Sequence, residues 1–404
     1  MTAPDGDALL TRLNALFEQD PHVDEIGLLF GIEAEELTVE TAFILEEHKL
    51  GVAFSAGPLV FKAARNRFHQ LNPLLHSKTT AEEEDRIRHE LLQCTRVILL
   101  ISADFYTAWN TRKEFVKRGW LEAAQEVVFC NLIFTLHPKS IDTWAYRRWL
   151  ATRLCAELED DALAVFYQQQ VDLCTILTER YARNYHAWSF RHWTVSKFNL
   201  TQLEQELQVM QHWCETHITD HSGWNHRQHT LKCLLKRLDG DWDRRKGIVA
   251  DEYKLLSSIM AQYPTHEALW CHRRFVSQTI LQEFVSSEDP ECQSALVDVT
   301  SIQGGADSQE LSSAVLSEKW TEIEQTLRNS DIKAILPAIL QDVRTSWFCN
   351  NRFARRYALW VVARLARFVG DKTQLAHLDS SMRAALITDD ALLDHLWQQK
   401  TRTD

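Results

Sequence analysis

Tryptophan followed three residues later by arginine recurs at near-regular spacing, at Trp109/Arg112, Trp144/Arg147, Trp188/Arg191, Trp224/Arg227 and Trp270/Arg273. Successive tryptophans lie 35, 44, 36 and 46 residues apart. A signature kept at that spacing marks a repeat array, in which each unit buries its apolar face against its neighbours. An amphipathic stretch precedes each tryptophan: Leu173, Leu177 and Tyr181 before the third, Leu203, Leu207, Met210 and Trp213 before the fourth, Leu256, Ile259, Met260 and Tyr263 before the fifth. Offsets of three and four place these groups on one helix face. Breaks follow at His137-Pro138-Lys139-Ser140, Ala182-Arg183-Asn184, Thr219-Asp220-His221-Ser222 and Tyr263-Pro264-Thr265-His266. Proline stops one helix, and Ser, Asp, Asn or Thr caps the next. The unit is helix, turn, helix, and the predicted fold is all-α, an α-α superhelix of helical hairpins.

Composition agrees, since 12 Gly and 8 Pro in 404 residues leave few breakers. The 44 basic against 56 acidic residues give a net charge of −12, an average surface that repels nucleic acid and anionic membranes. Nine scattered cysteines without a Cys-x-x-Cys pair fit reduced thiols. Residues 1–21 have no apolar signal core and no apolar run reaches membrane-spanning length, so a soluble cytoplasmic protein is expected. The predicted organisation is an N-terminal helical cap (1–89), five repeats (90–285), an acidic flexible insertion (286–316) and a C-terminal helical region (317–404). Arg355-Arg356-Tyr357-Ala358-Leu359-Trp360 in that last region reads as a degenerate sixth unit.

Trp and Arg at i and i+3 share a helix face, which allows two roles. In the first, Trp fills the space between helices while Arg satisfies carbonyls or carboxylates at a neighbouring turn. In the second, the five arginines form a basic ladder along one edge, with Arg147 and Arg191 facing a phosphate-bearing ligand and Lys113, Arg148 and Arg274 adding charge. No Gly-rich phosphate loop, Gly-x-Ser-x-Gly elbow or His-Glu-x-x-His helix is present. The densest metal-like cluster, His212, Cys214, His217, His221, His226 and His229, straddles an inter-helix turn and is assigned to packing, with no metal site.

The repeat resembles that of the protein prenyltransferase α-subunit family, roughly Pro-x-Asn-Tyr-x-x-Trp-x-x-Arg-x-Trp. Asn184-Tyr185-His186-Ala187-Trp188-Ser189-Phe190-Arg191-His192-Trp193 matches almost throughout, and the run from Pro138 to Trp149 matches well. The resemblance covers about residues 90–280. The segments at Asp20–Gly27, Glu47–Val52, Asp220–Gly223 and His266–Arg274 are similar to a divergent branch regarded as the α subunit of a third type of protein geranylgeranyltransferase. The resemblance implies a crescent of hairpins wrapped around a helical-barrel β subunit, expected to be that of the Rab-type enzyme. Zinc and geranylgeranyl diphosphate are expected on or with that β subunit. The protein substrate carries an acceptor cysteine, and a SNARE belongs to the expected class. The chain would be active only with its β subunit. The alternative is a non-catalytic helical-repeat scaffold or adaptor.

Carried over residue by residue, the resemblance makes Lys139 the diphosphate-facing lysine and His186 a donor to the diphosphate, the two expected catalytic residues. Asn184, Tyr185, Arg147 and Arg191 are the expected substrate-binding residues. The sequence departs from the family at Ile141, where a tyrosine hydroxyl is missing, and at Asp142, where CaaX-type α subunits carry a glutamine that meets the substrate's C-terminal carboxylate. Two carboxylates placed together repel. A free C-terminal carboxylate is therefore expected not to be read.

Overall fold

The periodicity builds hairpins, and the caps sit where the polar breaks fall. A computed structural model describes residues 5–33, 35–77, 80–284, 339, 341–343, 346 and 351–369. Its helices are α1 (Gly6–Gln19), α2 (Gly57–Leu71), α3 (Ala81–Ile101), α4 (Tyr106–Lys117), α5 (Ala123–Leu136), α6 (Ile141–Leu154), α7 (Asp160–Arg180), α8 (Tyr185–Val195), α9 (Leu200–Thr216), α10 (His221–Arg237), α11 (Trp242–Gln262), α12 (Glu267–Glu283) and α13 (Arg352–Val369). Ser140 caps α6 by accepting from the Thr143 N–H, and Asp220 caps α10 by accepting from that of Ser222. Asn199 and Gln202 form a reciprocal capping box at the start of α9. Among the described residues no helix is long and apolar enough to cross a membrane.

The chain divides into two compact units, residues 1–194 and 195–404. The first corrects the expectation of a purely helical N-terminal cap. Strands β1 (Glu25–Leu29), β2 (Phe43–Glu46) and β3 (Lys49–Ala53) form a sheet of order β1-β3-β2, with β1 parallel and β2 antiparallel to β3. Ile26, Leu50 and Leu45 lie in one row across it, and Leu28, Val52 and Phe43 in the next. The Ile26 N–H donates to Thr135 Oγ1 of α5 at 3.0 Å, which ties the sheet to the hairpins. The predicted insertion at 286–316 lies outside the described residues, as does most of 317–404.

Four of the repeat tryptophans fill the space between their own hairpin and the next. Trp109 packs against Tyr146 (4.5 Å between ring centroids), Trp144 against Phe190 (5.3 Å), Trp224 against His272 (4.9 Å) and Trp270 against Tyr357 (5.4 Å). The indole N–H then closes the preceding turn by donating to the carbonyl six residues back: Trp109 to Ala103, Trp144 to Pro138, Trp224 to Ile218 and Trp270 to Pro264, at 2.7 to 3.0 Å. The bulky ring is thereby buried without orphaning its one polar atom. The sixth unit exists in a register different from the predicted one. Asn351 caps α13, so the position four residues on is Arg355, and Tyr357 rather than Trp360 supplies the aromatic contact.

Candidate functional site

The arginines of the repeat are buried, and their partners define the inside of the array. Arg112 grips Glu126 through Nε and Nη2 at 2.8 and 2.6 Å. Arg227 grips Glu252 at 2.7 and 2.5 Å, and Arg273 donates to Asp342 at 2.6 Å. The residue two places after three of the tryptophans joins the same kind of link, and Tyr357 of α13 does likewise. Tyr146 donates to Glu126, Tyr357 to Asp342, and His272 and His226 bond Glu252 and Glu206 at 2.5 and 2.7 Å. Glu126, Gln170, Glu206 and Glu252 each stand 18 residues before a repeat tryptophan. This row was not singled out in the sequence, although the constant offset makes it legible once the hairpins are aligned.

The electrostatics follow from that pairing. Burial alone would raise the Glu252 carboxyl, but the Arg227 guanidinium and the His272 hydrogen bond outweigh it and hold the group at about 2. Burial keeps His272 below its ordinary value in spite of Glu252. Among the described residues Arg147 meets no carboxylate. Gln170 Oε1 accepts from its Nε and Nη2 at 3.1 and 2.7 Å, while Asn131 Oδ1 and the Val127 carbonyl accept from Nη1. Burial accordingly lowers this guanidinium from its ordinary value.

Two expectations are corrected here. Arg147 and Arg191 are 2 % and 1 % exposed, so neither touches a ligand at the surface, and the basic ladder along an edge does not form. Arg191 donates to Thr175 Oγ1 at 2.7 Å. Long cationic side chains facing the apolar interior are driven into the carbonyls and acids of neighbouring helices, because an unsatisfied buried charge is far costlier than a solvated one.

What reaches the surface lies at the turns. The Pro138 carbonyl accepts from the Trp144 indole and also from Asn184 Nδ2 at 2.9 Å. In the opposite direction, Lys139 Nζ donates to the Ala182 carbonyl at 3.0 Å. These bonds lace the turn before α6 to the turn before α8 and bring Lys139, Tyr185 and His186 to one edge. Lys139 is exposed and forms no ion pair among the described residues. Tyr185 is 73 % exposed, and its ring meets that of His186 edge-on at 5.8 Å. Asn184 does not belong with them. It is fully buried, its amide serves Pro138 and its Oδ1 caps α8 through the Ala187 N–H, so the expected substrate contact is corrected to a structural one.

Ile141 projects at the same edge, 62 % exposed, and offers no donor. Asp142 sits beside a second acid: Asp104 Oδ1 accepts from the Asp142 N–H at 3.2 Å and from the Ser140 hydroxyl at 2.7 Å. Burial first, and then the Asp104 charge, raise the Asp142 carboxyl, against the pull of Lys113. The edge thus offers an ammonium, a phenol and an imidazole on one side and a pair of acids on the other.

The histidine cluster of the fourth repeat disperses into packing. His217 stacks on Trp213 at 4.2 Å, His226 bonds Glu206, and His229 approaches the Cys233 sulfur at 3.6 Å. No group of three or more His, Cys, Asp or Glu is placed to hold a metal ion among the described residues. Burial pushes the Cys94 and Cys130 thiols up to about 12, which disfavours the thiolate form needed of a ligand or nucleophile.

The family described as protein prenyltransferase alpha subunit repeat matches residues 123–154, 167–198, 203–234 and 249–280, the last four of the five predicted copies. The chain is 33 % identical to protein prenyltransferase alpha subunit repeat-containing protein 1 of Danio rerio over 64 % of this chain and 69 % of that one. It is 30 % identical to protein prenyltransferase alpha subunit repeat-containing protein 1-B of Xenopus laevis over 70 % and 75 %, and 27 % identical to the Homo sapiens protein 1 over 64 % and 74 %.

Proposed function

The chain belongs to the protein prenyltransferase alpha subunit repeat family, and from that premise we propose that it is the α subunit of a heterodimeric protein geranylgeranyltransferase. Its partner is a barrel-type β subunit, of the kind found in the Rab-type enzyme, and its acceptor is a protein cysteine. The observation that carries the reading is the lacing of the turn that bears Lys139 to the turn that leads into Tyr185 and His186.

In the transfer, the bond from the isoprenoid's first carbon to oxygen breaks, its electron pair leaves on the diphosphate, and the same carbon bonds the cysteine sulfur. Negative charge grows on the diphosphate as that bond stretches. The Lys139 ammonium, held at the edge by one bond to Ala182, keeps two protons to donate toward the departing oxygens. An ammonium there stabilises the transition state more than the bound substrate, which is how a binding group accelerates a reaction. Tyr185 and His186 supply further donors from the adjoining turn. A zinc ion held by the β subunit would supply the chemistry that lowers the acceptor thiol's pKa. The Asp104 and Asp142 pair repels an anionic C-terminus. Transfer to a CaaX-type acceptor and to the same acceptor extended past its C-terminus should accordingly proceed at similar rates.

The bare Ile141 favours a second reading, a scaffold that keeps the fold without the chemistry. Reconstitution separates the two. The purified chain, a Rab-type β subunit, labelled geranylgeranyl diphosphate and a cysteine acceptor should give thioether product only when both subunits are present. A stable complex that transfers no label to any acceptor leaves the adaptor reading standing.

A further inference from the structure

Away from the hairpin edge, the first unit holds a polar groove to which nothing above assigns a role. Helices α1, α2 and α3 leave between them a space of about 620 Å³. Along α1, Asp7, Thr11, Asn14 and Glu18 follow one another at offsets of four, three and four, so a single helix face lines the groove with oxygen atoms. At the rise of an α-helix, Asp7 and Glu18 stand about 16 Å apart along the axis. Both are exposed, and neither forms an ion pair among the described residues; Glu18 Oε1 accepts one bond, from Gln93 Nε2 at 3.1 Å. The one cation on the facing wall, Arg67 of α2, is already engaged by Glu90 of α3. The groove is therefore acidic on balance.

Between the two carboxylates lies Asn14, 3 % exposed. Its Nδ2 donates to the Leu10 carbonyl at 3.0 Å, whereas its Oδ1 has no hydrogen-bond partner among the described residues. A buried oxygen without a donor is costly, and native structures rarely leave one unmet. Two carboxylates that call for positive charge, with an orphaned acceptor between them, describe a ligand of known chemistry. Such a ligand carries N–H donors at both ends and one in the middle. The acceptors are spaced singly and not in forked pairs, which suits point-like ammonium groups better than a planar guanidinium.

We propose that the groove binds an extended aliphatic polycation, whose terminal ammonium groups meet Asp7 and Glu18 and whose central nitrogen donates to Asn14. The source is either a free polyamine or a lysine-bearing segment of a protein partner. Titration calorimetry on the full chain tests this, with spermine, the shorter diamine putrescine and a terminally blocked lysine-bearing peptide as probes. Saturable one-to-one binding of spermine is expected, with putrescine at least tenfold weaker because it cannot span both acids. Binding of the peptide in place of spermine supports the site and identifies the source as a partner segment.

Asp7→Asn with Glu18→Gln should weaken the binding probe at least tenfold. The exposed pair Asp160→Asn and Asp161→Asn, a change of equal charge on α7, should leave affinity within twofold. Asn14→Leu should abolish binding without lowering the melting temperature of the free protein, since it removes an acceptor that had no donor. Absence of saturable binding by both spermine and peptide overturns the proposal. So does an equal loss in the α7 control, which would mean attraction to overall acidity alone.

Discussion

The Pro138 carbonyl in the first unit and the Pro264 carbonyl in the second each accept two bonds, one from the tryptophan of the same hairpin and one from the asparagine that caps a helix of the next. The pairs are Trp144 with Asn184 and Trp270 with Asn351, at 2.8 to 3.0 Å. Around this common staple the two regions diverge. Lys139 follows the first proline, and Thr265 follows the second. The buried link beneath differs as well: Arg147 meets the neutral Gln170, whereas Arg273 meets the carboxylate of Asp342, to which Tyr253 and Tyr357 also donate. The staple recurs whatever its edge carries, so it belongs to the architecture, and the cation that follows the first proline is an addition the second staple lacks. Hydrogen-bond satisfaction and charge compensation are also separable. The second region compensates the charge, although Asp342 Oδ1 has no hydrogen-bond partner among the described residues. The first leaves a buried positive charge in the hairpin that presents Lys139.

The largest effects should come from the buried links. Asp342→Ala strands Arg273 and is expected to cost about 3–5 kcal/mol, while Gln170→Ala removes only neutral acceptors from Arg147 and should cost about 1.5–3 kcal/mol. Urea denaturation of the two variants checks the order, and equal losses would break the distinction between a charged and a neutral link. Next come the staples. Asn184→Ala and Asn351→Ala each lose a helix cap and a bond to a proline carbonyl, and each is expected to cost about 1–2 kcal/mol. A clearly larger loss of transfer activity than of stability in Asn184→Ala would return that residue to the substrate.

Acid should then act on the buried Arg227–Glu252 link of the second unit and spare the neutral Arg147–Gln170 link. Glu252 is held at about 2 in the folded chain against an ordinary 4.5, so its contribution is complete above 4.5 and is lost as pH falls toward 2. His272 is held below its ordinary 6.5, so the folded state also loses ground to the unfolded one as pH drops through that range. Glu252→Gln should flatten the stability profile below pH 4.5, measured by thermal melting, whereas Gln170 has nothing to titrate. The smallest effect is expected of Thr265→Lys. It copies the first edge onto the second and should change stability by less than about 0.5 kcal/mol.

The repeat was legible because its two most informative residues must each solve a problem of burial, Trp by filling a gap and Arg by finding acceptors. The hairpin turns, the caps at Ser140 and Asp220 and the packing role of the tryptophans could all be read from spacing. The partner row at Glu126, Gln170, Glu206 and Glu252 could not be read from any one repeat, since a polar residue on an amphipathic helix looks solvated until hairpins are superposed. Chemistry misled at Asn184, whose amide has the right type for a substrate contact but is taken up by Pro138. The N-terminal sheet escaped notice because its hairpin turns at Glu47 and His48. Both hold positive φ (46° and 65°) without the Asn or Gly that usually announces such a turn. The β1 and β3 strands also place Gly27 and Gly51 mid-strand, which weakens the alternation of apolar residues.

Division of labour between a buried scaffold and an exposed cation is tested most directly by measuring Lys139→Ala twice, for single-turnover geranylgeranyl transfer in the reconstituted heterodimer and for melting temperature in the free chain. The expected result is a transfer rate lower by about 10²-fold, the scale seen when one charge-stabilising donor is removed, with heterodimer assembly and melting unchanged. Transfer at the unaltered rate, or a fall in melting that accounts for the lost activity, contradicts it.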